Sequence, residues 1–467
     1  MQHVCVIPTV LAFSTAVLAY PESSDGYRGV SYFGILWLAG PPLILAVLLL
    51  FGAAMVRRAS RFFHKRFGRY DSWMVGIGNI APPCTFQAIS GFDRNFSDVL
   101  FIEFLHQLYA KTQTARGKKE LQKLSAYLSQ SAIANLAKRN ATKKVEQVSD
   151  IVVCDVRLIH VSGTRPSARN TKLGVEFEAC YNETSASGAV NEQHVRERWF
   201  LVRAQSAASC ESGTTEIPAC PRCRSNDNVV TDGRCSQCNM PVGNGMFDWF
   251  VTTIHFIGNA PLGPNLTSPV DSIAASEPAT IDSCCSAVLD AIGAKDSSFR
   301  LNAFVSRVLM IYLEYVRAWN ARNLSSVRPF LTVCLYRTQS FWVEAYRRRG
   351  LTNIIELSES PHIVVQKASS DRFYDSITVH ICSKRTDYTL SDDRRRVVSG
   401  STSKVRSSSE KWTFIRCTDR RCVARSDRRC PNCELEIDLN NAGECRNCRA
   451  SIVSGKLDWV LNSIKRD

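Results

Sequence analysis

Two cysteine quartets in the same register constrain this chain more than any other feature. Cys220-Pro221-Arg222-Cys223 recurs as Cys430-Pro431-Asn432-Cys433, and Cys235 and Cys238 recur as Cys445 and Cys448. Each quartet reads C-x2-C-x11-C-x2-C. A C-x2-C pair forms a tight knuckle that aims two thiolates at one metal, and a second knuckle completes a tetrahedron. Asp232-Gly233 and Ala442-Gly443 suit the connecting turns. Nineteen cysteines in 467 residues fall well below the roughly 8–10 % of disulfide-built scaffolds, which favours metal sites over a disulfide cage. We expect a structural zinc in each quartet. A redox dithiol or an iron–sulfur cluster is the competing use, and nothing nearby resembles an electron-transfer partner site. A four-thiolate zinc has no open coordination position, so it staples a fold and does not catalyse. The remaining cysteines, Cys154, Cys180 and Cys382 among them, read as small buried hydrophobes.

The repeat extends beyond the cysteines. Gly245, Asp248, Trp249 and Ile254 recur as Gly455, Asp458, Trp459 and Ile464. Upstream, Trp199 to Arg203 matches Trp412 to Arg416, and Leu121, Leu124, Tyr127, Leu128 and Ser129 match Leu324, Val327, Phe330, Leu331 and Thr332. Before these, Phe101, Leu105, Leu108 and Tyr109 follow a Ser97 that can cap, and Phe304, Val308, Ile311, Tyr312, Tyr315 and Trp319 sit on one helical face. The period then changes to two: Val175, Phe177 and Ala179, and again Ile377, Val379 and Ile381, alternate with polar residues. Each repeat therefore reads as helices followed by an antiparallel sheet, an α+β class. Pro261, Pro264, Pro269 and Pro278 among Ser, Thr and Asn mark a linker between the repeats.

The N-terminal part is different in kind. Val4 to Ala19 is apolar and reads as a signal peptide or a retained first membrane segment. Tyr32 to Val56 carries no charge and exceeds the roughly 20 residues that span a bilayer, so a transmembrane helix is expected there. Arg57, Arg58, Arg61, Lys65, Arg66 and Arg69 follow it without an acid before Asp71. The positive-inside rule places that flank on the cytoplasmic side, giving a single-pass or hairpin membrane protein with its soluble domains in the cytoplasm. The same cluster can grip acidic lipid headgroups. The expected organisation is residues 1–19 as the first segment, 32–56 as the span and 57–95 as a basic juxtamembrane stretch. A first domain follows over 96–254 with its ribbon at 220–238, then a linker at 255–295. The second domain covers 296–467 with its ribbon at 430–448.

The helix, the Trp-x-Phe-x-Arg strand and the closing Asp-Trp-[Phe/Val]-[Val/Leu]-x-x-Ile resemble the Tim44-like family, in its bacterial zinc-ribbon, membrane-anchored form. The second copy carries the fuller match, in Tyr315 to Trp319, Asn323-Leu324, Arg328 to Leu331, Trp412 to Arg416 and Trp459 to Ile464. The resemblance implies two tandem cone-shaped domains of the nuclear-transport-factor-two type, with each zinc ribbon inserted near the C-terminal hairpin. It further implies an adaptor that tethers protein partners, protein-translocation machinery among them, and acidic lipid. It supplies no catalytic residues, and none is expected.

Two other functions compete. An enzyme would need a polar constellation, and the candidates are thin: His160 and His380 on strand-like segments, with Asp375 near the second. No Ser-His-Asp set, H-E-x-x-H helix or Gly-rich phosphate loop is present. A nucleic-acid or ribosome binder would use the net charge of +15 and the runs Arg347 to Arg349, Arg394 to Arg396, Arg420-Arg421 and Arg428-Arg429. Those runs are short, lack interleaved aromatics, and three adjoin acids at Asp392-Asp393, Asp419 and Asp427.

Overall fold

The computed structural model describes residues 86–165, 167–210, 217–226, 230–231, 233–259, 281–393, 396–420, 424–440 and 442–466. After a short helical turn at Gln87–Ser90 come α1 (Asp98–Gly117), α2 (Gln130–Lys143), β1 (Val145–Ser162), β2 (Asn170–Ser185), β3 (Val190–Ala204) and β4 (Phe250–Asn259). The second half holds α3 (Cys285–Lys295), α4 (Leu301–Asn320), α5 (Val333–Arg348), β5 (Leu351–Leu357), β6 (His362–Ser370), β7 (Tyr374–Ser391), β8 (Val397–Cys417) and β9 (Val460–Arg466). The first sheet runs β1-β2-β3-β4 and the second β9-β8-β7-β5, with β6 also on β7; every pairing within them is antiparallel.

The helices form where the apolar stripe predicts. In α1, Phe101, Phe104, Leu105, Leu108 and Tyr109 are buried, and in α4 Phe304, Val308, Ile311, Tyr312 and Tyr315 are. Ser129 caps α2 by accepting from the Ala132 amide, and Lys144 ends it in a left-handed conformation. Ser97 precedes α1 but makes no side-chain cap; its carbonyl accepts from the Phe101 amide instead. Period two holds in the strands: Val175, Phe177 and Ala179 face the first core, and Ile377, Val379 and Ile381 face the second. Ring pairs knit helix to sheet, with Tyr109–Phe177 at 4.9 Å and Tyr109–Trp199 at 5.3 Å in one core. Tyr312–Trp412 at 5.2 Å and Phe304–Trp459 at 5.0 Å do so in the other. Each such pair adds about 0.5–1.5 kcal/mol beyond area burial.

Both quartets lie in the connection between the last two strands of a sheet, residues 205–249 between β3 and β4 and residues 418–459 between β8 and β9. The returning strand is pinned at its start in the same way twice. The Ser129 amide donates to Val251 O and the Thr332 amide to Leu461 O, each at 2.9 Å. Helix α3 falls within the stretch read as linker; it packs on β6, with Cys285 and Ile292 in the second core. The second half also touches the first. Thr338 Oγ1 on α5 donates to the Val153 carbonyl of β1 at 3.0 Å, Trp342 meets His194 edge-on at 5.8 Å, and Arg348 pairs with Glu192 at 3.0 Å.

The expectation of a single-pass or hairpin membrane protein with cytoplasmic domains is corrected here. Among the described residues no helix is long and apolar enough to cross a membrane. The two longest, α1 and α4, carry Asp98, Glu103, Lys111 and Arg116, and Arg307, Glu314 and Arg317, within their spans. Val4 to Ala19, the Tyr32 to Val56 segment and the basic cluster from Arg57 to Arg69 lie outside the described residues.

Candidate metal centres and the filled interiors

The four sulfurs of Cys220, Cys223, Cys235 and Cys238 lie within 4.8 Å of one another, as do those of Cys430, Cys433, Cys445 and Cys448. Zn–S bonds of about 2.3 Å put the sulfurs of a tetrahedron about 3.8 Å apart. The measured edges are 3.9 Å for Cys220–Cys238 and Cys223–Cys235, 3.7 Å for Cys430–Cys448 and 3.9 Å for Cys433–Cys445. The donor set therefore fits a four-thiolate metal.

The knuckles explain how the backbone achieves this. In each, the residue after the second cysteine (Arg224, Asn239, Glu434 or Arg449) has positive φ and its amide returns to the first cysteine's carbonyl at 2.7–2.9 Å. The amide of each first cysteine bonds forward, Cys220 to Ser225 O, Cys235 to Met240 O, Cys430 to Leu435 O and Cys445 to Ala450 O. Amides also point at sulfur: Arg222 to Cys220 at 3.4 Å, Gln237 to Cys235 at 3.4 Å and Asn432 to Cys430 at 3.5 Å. Such donors stabilise thiolate charge and orient the ligands.

Burial pushes the Cys220 and Cys430 thiols up to about 12. At Cys235 burial also raises the pKa, but the Cys238 and Gln237 amides outweigh it and bring the thiol to about 7. A hydrogen bond with Asn432, then the Ala450 amide, holds Cys448 at about 6. A coordinated dication deprotonates thiols outright, so it would equalise the four. The chemistry a bound zinc supplies here is structural, because four protein ligands leave no site for water or substrate.

Each connection is anchored to its sheet by a buried arginine. Arg203 pairs with Asp93 at 2.7 Å and lies 4.7 Å over the Trp249 ring. Arg416 pairs with Asp296 at 2.8 Å and Asp375 at 3.4 Å, and lies 4.8 Å over Trp459. Asp93 and Asp296 open the same local turn: Oδ1 accepts from the Asn95 or Ser298 amide, and the carbonyl accepts from Phe96 or Phe299. Sequence reading missed this pair; the repeated Asp-x-[Asn/Ser]-Phe at 93–96 and 296–299 is the signal that carries it.

The interiors between helix and sheet are filled by side chains. In the first half Glu197 accepts from Arg139 at 2.7 Å and from the Trp199 indole at 3.1 Å. Beside it Arg116 pairs with Glu183 at 2.8 Å and donates to Asn140 at 3.1 Å. In the second half Glu410 accepts from Arg385 at 3.1 Å and from the Trp412 indole at 2.9 Å. Trp319 Nε1 donates to Asn353 at 2.9 Å.

The enzyme candidates do not converge. Asp375 faces the core and is bound to Arg416 and Ser370, whereas His380 is on the opposite face of β7 with Ser409 and Cys382. His160 contacts Ser162 at 3.0 Å on β1 of the other sheet. The arginine runs are largely engaged: Arg347 with Glu344, Arg348 with Glu192, Arg420 with the Leu457 carbonyl and Arg428 with Glu314. Arg394, Arg395 and Arg421 lie outside the described residues.

No curated protein matches the chain. Among solved structures it is similar to an "Ntf2 like protein involved in plasmid conjugation", at 8 % identity and a TM-score of 0.19, over 73 % of this chain and 100 % of that one. The informative comparison is with protein families: residues 285–423, from α3 through β8, match the model of the Tim44-like domain.

Proposed function

We propose that the chain is a non-catalytic adaptor of the Tim44-like type, built from two related helix–sheet domains that bind protein partners. The observation that carries this reading is the Tim44-like match over residues 285–423. The first half, 96–254, is taken as a diverged second copy. Support comes from the shared Glu-x-Trp strand, the Asp–Arg–Trp anchor and the ribbon in the same strand connection. The ligand sets for two structural zinc ions are Cys220, Cys223, Cys235 and Cys238, and Cys430, Cys433, Cys445 and Cys448.

Filled interiors and four-thiolate donor sets favour a scaffold, because each removes a place where substrate would react. The partner class is protein, with translocation machinery the first candidate. Acidic headgroups are a second ligand class, through Arg57, Arg58, Arg61, Lys65, Arg66 and Arg69. Crosslinking the tagged full-length chain in cells, followed by mass spectrometry, tests this. The reading expects a defined set of protein partners, lost on deleting residues 285–423. Recovery of ribosomes or RNA with a steep salt dependence would contradict it.

A further inference from the structure

Cys154 and Cys180 lie outside both quartets, on neighbouring strands, with their sulfurs 3.7 Å apart. The register explains the contact. Val153 faces Ala179 and Asp155 faces Glu178, so Cys154 is the extra residue of a bulge in β1. Cys180 pairs with Val152 on β1 and lies diagonal to Cys154; it is 1 % exposed and sits directly across from His194 on β3. Cys154 itself is half-buried. The pair lies at the seam between the two halves: the Val153 carbonyl takes the Thr338 hydroxyl of α5, and Trp342 of α5 packs on His194.

We propose that Cys154 and Cys180 are an oxidisable dithiol that closes to a cross-strand disulfide when a hydroperoxide is the oxidant. The more accessible sulfur, Cys154, takes one peroxide oxygen, slowly, because its contact with Cys180 and its burial hold the thiol protonated: R–SH + H2O2 gives R–SOH + H2O. The Cys180 sulfur then displaces that oxygen, its proton leaving with it: R–SOH + R′–SH gives R–S–S–R′ + H2O. Two thiols are oxidised by two electrons and one peroxide is reduced to two waters. Cys180 is directly paired with Val152, so Cys154 reaches it diagonally across the bulge, and it is the 3.7 Å sulfur contact that brings the two within range. Closure to about 2.05 Å needs movement of the bulge. That movement shifts the Val153 carbonyl and so reaches α5.

The test treats the zinc-loaded full-length chain with hydrogen peroxide, then maps thiols by differential alkylation and mass spectrometry. The proposal expects a Cys154–Cys180 linked peptide, two fewer titratable thiols per chain, and a change in amide exchange of at least twofold in Val333–Arg348. In Cys180→Ser, dimedone should label Cys154 as the trapped sulfenic acid, whereas the parent chain stays unlabelled. Oxidation of other thiols with no Cys154–Cys180 link would overturn the proposal, as would Cys154 sulfinic acid in the parent chain. A link with unchanged exchange in Val333–Arg348 would overturn the coupling to the seam. The parent-chain mapping stands even where Cys180→Ser does not fold.

Discussion

The two halves each place a helix against an antiparallel sheet, and differ in what that helix contributes to the space between them. Along α4 the residues facing the sheet are Tyr312, Tyr315, Val316 and Trp319; at the equivalent positions of α1 they are Tyr109, Thr112, Gln113 and Arg116. The second interior is aromatic, with Trp319 and Tyr315 stacked at 6.2 Å and Tyr315 on Trp412 at 5.4 Å. The first is ionic, with Arg116, Arg139 and Lys143 around Glu183 and Glu197. Among the described residues, Tyr109 Oη, Thr112 Oγ1, Gln113 Oε1 and Arg116 Nε are buried without a protein partner. Ionic closure is the less stable choice, because each unsatisfied buried group costs about 1–3 kcal/mol.

The largest effects are expected at the ribbons, where metal ligation contributes about 10–16 kcal/mol in zinc-finger peptides. Cys220 and Cys235 belong to the first half's main core, whereas Cys430 and Cys445 form a small core of their own with Ile452 and Val453. Cys220→Ser with Cys223→Ser should therefore unfold the first half broadly. Cys430→Ser with Cys433→Ser should release the second ribbon and β9 while α4 and β7 keep their protection. Amide exchange distinguishes the two, and equal damage in both halves would break the comparison.

The next effect is at the buried arginines. Arg416→Met leaves Asp296 and Asp375 facing each other uncompensated and should cost about 3–5 kcal/mol. Arg203→Met leaves Asp93 its hydrogen bonds from the Ser209 amide and hydroxyl and should cost less in the same urea titration. Adding Asp93→Asn to Arg203→Met should recover part of the loss.

Thr112→Val sharpens the contrast with a sign. It removes an unpartnered hydroxyl at nearly constant volume and should stabilise the first half by about 1 kcal/mol. A destabilisation would mean the hydroxyl is satisfied.

The smallest effect depends on pH. Burial holds His106 down at about 4, against an ordinary value of about 6.5. Between those values the native chain binds fewer protons than the unfolded one. Stability from the neutral imidazole is thus full above pH 6.5 and is lost as pH falls towards 4. Leu309 takes the equivalent place in α4, so only the first half should show this slope, and His106→Gln should flatten it.

Much of this was legible because it is local or periodic. The quartets announce themselves by spacing, and the inward strand residues by alternation. Other features join distant parts of the chain. Arg203 meets Asp93 across 110 residues, and Arg416 meets Asp296 across 120. A charged side chain at the end of an apolar strand reads as surface until its partner is known. Arg116 is a like case, because charge on a helix usually marks the solvated face, yet it is wholly buried. Cys154 and Cys180 read singly as small buried hydrophobes, and only the pairing of β1 with β2 brings their sulfurs together across 26 residues.

A scaffold with two closed metal staples should hold two zinc ions per chain, each with four sulfur neighbours at about 2.3 Å and no nitrogen or oxygen. Zinc X-ray absorption on the full-length chain, with metal content measured on the same sample, reads both numbers. A nitrogen or oxygen neighbour, or a single zinc, would contradict the scaffold reading, since an open coordination position is what a catalytic centre requires.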